Sequence, residues 1–200
     1  MTNPDYTHVV LIVDRSSSMS ENGKAAEATN GIKMFMDEQF ALPGKFTFTL
    51  SEFDTSFDTV CRVASEKMDY VLSPRGSTAL LDSVAREISL TGFDLESMAE
   101  KDRPANVIVV TVTDGEENSS TLNTLDEVKE MIAHQQDVYG WKFVFLGADT
   151  AAWMGKALGT YSTTTYDNDA SGTHAVYAAS STNITNIRSG MTDDKMPDKV

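Results

Sequence analysis

Three stretches of the chain are apolar on successive positions rather than alternate ones. Val9-Val10-Leu11-Ile12-Val13 is the first, residues 105–112 contain the second, and residues 141–146 the third. A run without alternation reads as a strand buried on both faces of a parallel sheet. Helical spacing separates these runs. Residues 21–40 place Ala25, Ala28, Ile32, Phe35 and Met36 on one face, and a helix opening at Thr78 carries the stripe Leu80, Leu81, Val84 and Ile88. Further helices are expected over 125–138, capped by Thr124 or Asn123, over 151–158, stopped by Gly159, and over 172–188. Residues 45–53 do alternate, with Phe46, Phe48 and Leu50 against Thr47, Thr49 and Ser51. The turn Asp54-Thr55-Ser56 joins them to a second strand over 57–63. So short a link implies an antiparallel hairpin, expected at a sheet edge. A threonine-rich strand is expected over 161–166.

Strands alternating with helices give an α/β fold with a mostly parallel sheet. No internal repeat and no linker composition divides it, so residues 1–190 read as one domain, with a charged tail over 191–200 expected to fray.

Charge narrows the partners. Sixteen Lys and Arg against thirty Asp and Glu leave a net charge of −14. Such a surface repels phosphate backbones, so no nucleic-acid partner is expected, while cations and basic surfaces are attracted. Cys61 is the single cysteine, so no intrachain disulfide or cysteine-based zinc cluster can form. Its alternating apolar surroundings read as a core thiol. The first residues lack a signal-peptide pattern, and no stretch approaches the roughly 18 apolar residues of a membrane span. A cytoplasmic protein with no membrane partner is expected.

The chemistry gathers where the first apolar run stops, at Asp14-Arg15-Ser16-Ser17-Ser18. Asp14, Ser16 and Ser18 lie two apart, so an extended or gently curved loop can turn their oxygens to one side. A carboxylate with two hydroxyls is an all-oxygen set suited to a hard divalent cation such as Mg²⁺. Taken alone, the stretch also reads as an aspartate N-cap followed by a serine-rich turn. Two distant positions change the balance. Asp114 follows the second apolar run, and Thr78 lies in a loop, Ser73-Pro74-Arg75-Gly76-Ser77-Thr78, that must return to the same edge. Open parallel sheets bind ligands beyond the carboxyl ends of their strands.

In this arrangement the chain resembles a von Willebrand factor type A domain. That family's metal-ion-dependent adhesion site has a D-x-S-x-S loop after the first strand, a threonine in a second loop and an aspartate after the fourth strand. Asp14, Ser16 and Ser18, then Thr78 in Gly76-Ser77-Thr78-Ala79-Leu80, then Asp114 in Thr113-Asp114-Gly115 match it in order. The resemblance covers residues 6–159. Asp114-Gly115-Glu116-Glu117-Asn118 and residues 140–148 are similar to the small stand-alone bacterial and bacteriophage members. It implies a three-layer, Rossmann-like, doubly wound sheet, mostly parallel with one antiparallel edge hairpin strand. It implies Mg²⁺, or Mn²⁺, bound directly by Ser16 and Ser18 and, when the site is engaged, by Thr78, with Asp14 and Asp114 holding it through waters or directly in another state. It also implies a protein partner that presents an Asp or Glu to the metal, such as an ATPase of the AAA+ class or a component of an assembly machine.

Other constellations are weaker. Asp167, Asp169, Ser171 and Gly172 start like a calcium loop, but the twelfth position is Ala178 where a bidentate Glu is needed, and a helix cap is simpler. His8, His134 and His174 share no ligand spacing. Glu116 and Glu117 adjoin the rim, as selectors of a partner or as a solvated acidic loop. No nucleophile elbow and no phosphate-binding loop occurs, so no enzyme is expected. The alternatives are a Mg²⁺- or Mn²⁺-dependent phosphate-ester hydrolase, for which Arg15 and Arg75 would have to grip phosphate, and a structural subunit stabilised by its metal.

Overall fold

A computed structural model describes residues 1–191 and 195–200. The chain runs β1 (Asn3–Asp14), α1 (Lys24–Ala41), β2 (Lys45–Phe53), β3 (Phe57–Ala64), α2 (Leu80–Glu96), β4 (Pro104–Thr113), α3 (Leu125–Tyr139), β5 (Lys142–Ala148), α4 (Ala152–Leu158), β6 (Ser162–Tyr166) and α5 (Ala170–Arg188). The six strands form one sheet in the order β3-β2-β1-β4-β5-β6. Every neighbouring pair is parallel except β2 and β3, the antiparallel hairpin at one edge. Among the described residues no helix is long and apolar enough to cross a membrane.

The absence of alternation in the central strands has a direct cause. Val9, Leu11 and Val13 of β1 and Val110 and Val112 of β4 face one core, with Ile32, Phe35 and Met36 of α1 and Val176, Tyr177 and Ile184 of α5. Val10, Ile12, Val107 and Val109 face the opposite core, under Leu80, Val84 and Ile88 of α2, Val128 and Ile132 of α3, and Met154 and Leu158 of α4. Each strand is therefore apolar on both faces, and the fold has three layers. On the first face α1 and α5 approach closely. A Cβ built on Gly31 would lie 2.6 Å from the Tyr177 side chain, so only glycine lets these helices touch there.

The order of the strands reverses between β1 and β4. From β1 the chain moves outward to β2 and β3, then returns to β4 and moves the other way. Ligand crevices form at such a reversal, outside the carboxyl ends of the two strands. β1 ends at Asp14, and Val13 is paired with Val112, so Asp14 stands beside Thr113 and Asp114 follows at once.

Several boundaries differ from the sequence pattern. The first α-helix starts at Lys24, not at residue 21. Ser17–Gly23 is wound as 3₁₀ turns broken by Asn22 and Gly23 at φ 52° and 77°. Two successive left-handed residues cannot continue an α-helix. The second helix starts at Leu80 rather than Thr78, which stays in the loop and is buried at 3% exposure. Asp169 caps α5 by accepting from the Gly172 amide at 2.8 Å, the cap expected in place of a calcium loop. The tail expected to fray falls partly outside the described residues. Met196 is buried in the first core, and the Thr165 amide donates to the Asp198 carbonyl at 2.8 Å, so residues 196–200 lie along β6.

Candidate metal centre

Asp14 is fully buried at the end of β1. Its Oδ1 accepts from the Ser16 amide at 2.6 Å, and its Oδ2 accepts from the Thr113 hydroxyl at 2.6 Å. The first bond is the Asx turn that reverses the chain after the strand, and it brings Ser16 and Ser18 back over the strand end. Ser16 Oγ lies 3.0 Å from Ser18 Oγ, and Ser18 Oγ donates to Asp114 Oδ1 at 2.7 Å. Thr78 completes the group from the other side. A Cβ placed on Gly115 would lie 3.3 Å from Thr78 Oγ1 and 3.8 Å from both Asp14 Oδ2 and Ser18 Oγ. Three oxygens from two segments, the Asp14–Ser18 turn and the threonine loop, thus converge on one point, left open because residue 115 has no side chain. The structure brings all five sequence-predicted donors to this place.

The threonine loop is tied on both flanks. The Ser17 amide donates to the Gly76 carbonyl at 3.1 Å, and the Arg75 amide to the Arg15 carbonyl at 2.7 Å. On the other flank the Thr78 amide donates to Asn118 Oδ1 at 3.0 Å, while the Asn118 amide donates to the Thr78 carbonyl at 3.1 Å. Glu117 turns inward and accepts from the Leu81, Ser119 and Ser120 amides, so it caps α2; Glu116 is exposed on the same loop. Arg15 is buried at 6% exposure. Its guanidinium donates to Asp54 at 2.8 Å, to Glu52 at 2.7 Å and also to Asp58, while Arg75 donates to Asp54 at 2.7 Å and Asp58 at 2.9 Å. Both arginines are engaged in this acidic cluster at the hairpin.

The electrostatics fit a cation. Burial raises the Asp14 carboxyl from 3.8 to about 6, and the Asp114 charge pushes the same way, against the bonds from Thr113 and Ser16. Two carboxylates in one water-poor place repel, and a cation between them relieves both costs. Among the described residues no group of three or more His, Cys, Asp and Glu could hold a metal ion. The donors at the rim are two carboxylates and three hydroxyls, a set of a different kind. The histidines are apart: His8 is buried in the sheet, His134 meets Tyr139 edge to face, and His174 faces Glu27. Cys61 is half-buried, and burial raises its thiol pKa.

The sequence pattern missed Lys24 and Tyr166. Lys24 is 1% exposed; Nζ pairs with Asp114 Oδ2 and donates to Asn168 Oδ1 at 2.8 Å. Its signal was its position: Lys24 lies four residues before Ala28, in the stripe that continues through Ile32 and Phe35. The buried Tyr166 hydroxyl donates to the Thr113 carbonyl at 3.0 Å, bracing the turn that carries Asp114.

No protein-family model and no curated protein sequence matches the chain. Solved structures do. The vWF domain of the type V pili tip protein Mfa5 from Porphyromonas gingivalis aligns with a TM-score of 0.65 and 10% identity, over 96% of this chain and 98% of that one. A von Willebrand factor type A structure from Catenulispora acidiphila aligns at 0.62 and 15% identity, over 88% and 42%. Proximal thread matrix protein 1 from the mussel byssus, with a zinc-occupied MIDAS motif, aligns at 0.61 and 15%, over 86% and 44%. The chain thus spans less than half the length of the latter two. Sheet order, the single antiparallel edge strand, the three layers and these alignments agree: the chain has the fold of von Willebrand factor type A domains.

Proposed function

We propose that the protein is a metal-dependent protein-binding module. Asp14, Ser16, Ser18, Thr78 and Asp114 hold a divalent cation, and that cation receives an Asp or Glu side chain of a partner protein. The observation that carries this reading is the convergence of Asp14 Oδ2, Ser18 Oγ and Thr78 Oγ1 around the space beside Gly115.

The residues divide the work. Ser16, Ser18 and Thr78 supply neutral oxygens, and all-oxygen donors favour Mg²⁺ or Mn²⁺. Asp14 and Asp114 supply charge, and each is oriented by hydrogen bonds from the protein, so the group is formed in advance. A bound divalent ion supplies Lewis acidity towards an incoming carboxylate. The mussel protein's zinc-occupied motif supports a divalent ion in a related fold. An ATPase of the AAA+ class or an assembly component is the kind of partner proposed, free of nucleic acid and membrane. Hydrolysis of phosphate esters lacks its grip on substrate, because Arg15 and Arg75 are both committed to Glu52, Asp54 and Asp58.

Affinity capture from the native host in Mg²⁺, followed by elution with chelator, tests the reading. The partner should stay bound in Mg²⁺ and leave with chelator, and Thr78→Ala should weaken its retention. A partner held equally by both proteins in chelator would refute the metal bridge.

A further inference from the structure

We propose that Lys24 is a built-in counter-ion of this site, and that it makes retention of a divalent cation depend on an incoming carboxylate. The inference rests on the metal-site reading above and assigns a role to a residue outside the donor set.

Lys24 opens α1 on the buried stripe of that helix, so its ammonium is carried under the serine loop and not into solvent. There it meets Asp114 on one side and Asn168, from the turn before α5, on the other. A buried ammonium persists only where partners replace its water. Here one partner is half of the carboxylate pair that would hold the metal. Solvent does not dilute the interaction, because the Lys24 and Asp114 side chains are 1% and 0% exposed.

The charges follow by counting. Asp14 and Asp114 contribute −2, Lys24 contributes +1, and Ser16, Ser18 and Thr78 contribute none, so the group carries −1. A divalent cation brings it to +1, and a net charge in a place of low dielectric is costly. One external carboxylate returns it to zero. Without Lys24 the same donors would be neutral once loaded and would hold the cation unaided. Lys24 therefore weakens metal binding alone and strengthens binding of metal and carboxylate together. The nearby acids do not cancel this charge internally: Glu52 and Asp54 face Arg15, and Glu117 caps α2.

The coupling can be read directly by titrating Mn²⁺ and following free Mn²⁺ by electron paramagnetic resonance. Wild type, Lys24→Met and Lys24→Gln are compared in excess acetate and in chloride of equal ionic strength, with folding checked by circular dichroism. Both variants should bind Mn²⁺ about ten-fold or more tightly than wild type in chloride. Acetate should tighten wild-type binding several-fold and change the variants little. Equal Mn²⁺ affinity in all three proteins, or an equal acetate effect, would overturn the role of Lys24 and leave the metal site standing. Absence of Mn²⁺ binding in wild type would overturn the metal-site reading and this inference with it. If neither variant folds, Asn168→Asp decides, because a carboxylate there cancels the Lys24 charge: tighter Mn²⁺ binding in chloride with loss of the acetate effect supports the inference, and wild-type behaviour overturns it.

Discussion

The Thr113 hydroxyl donates to Oδ2 of Asp14 at 2.6 Å, across the junction of β1 and β4. This bond and the one from the Ser16 amide do not offset burial, which leaves the Asp14 carboxyl at about 6. The folded pKa lies above the ordinary 3.8. The contribution of Asp14 to stability is therefore fully present below pH 3.8 and lost as pH rises through 6. At pH 7.5 the buried charge is a cost. Asp14→Asn should raise the stability of metal-free protein at pH 7.5 by on the order of 2 kcal/mol, and by less at pH 5. Urea denaturation at the two pH values measures this. On the proposed metal site, Mg²⁺ should raise the melting temperature of wild type, and the same variant should lose that rise.

Gly115→Ala should weaken divalent-metal binding by about ten-fold or more while leaving the melting temperature without metal nearly unchanged. The new methyl would sit 3.3 Å from Thr78 Oγ1, in the space on which the donors converge. A metal site demands near-ideal geometry of Mg²⁺, so partial filling of that space is costly. Calorimetric titration with Mg²⁺ or Mn²⁺ is the measurement, and unchanged affinity would move the site elsewhere.

Arg15→Met should destabilise the protein by about 3 kcal/mol, because it leaves Glu52 and Asp54 buried with fewer partners. A lower urea midpoint is expected. A midpoint within error of wild type would mean that Arg75 alone satisfies the cluster.

His8 gives the sheet its own acid sensitivity. It is 1% exposed beside Thr47 and Thr49, and burial, reinforced by the Arg62 charge and opposed by Asp94, lowers its pKa from 6.5 to about 4. The folded state resists protonation, so the stability contributed by His8 is present above pH 6.5 and is lost as pH falls towards 4. The loss over that window should be on the order of 3 kcal/mol. His8→Gln should show a shallower fall in stability between pH 7 and 4 than wild type. Parallel curves would mean that other groups dominate.

The strands and helices were legible because burial on two faces leaves an unmistakable pattern, as in Val9 to Val13. The convergence of Asp14, Ser16, Ser18, Thr78 and Asp114 was legible because they terminate strands or lie in loops whose direction the topology dictates. Lys24 was harder to read. A charged residue at the start of a helix is ordinarily solvated, and only the position of its partner Asp114, 90 residues away, makes burial tolerable. The same holds for Met196, whose place in the core depends on how the chain returns along β6. Asn22 and Gly23, which hold the serine turn apart from α1, are small local breaks within an otherwise helical composition.

The bonds that join Asp14 to Thr113 and Ser18 to Asp114 span 99 and 96 residues of chain. Contacts of such separation form only after the intervening loops have closed and β1 has found β4. No local segment of the unfolded chain can gather these oxygens beforehand. Whatever occupies the rim therefore arrives only after β1 and β4 have met, and its stabilisation should fall on the escape from the native state. Occupancy should lengthen the lifetime of the folded protein and leave the speed of its formation nearly untouched.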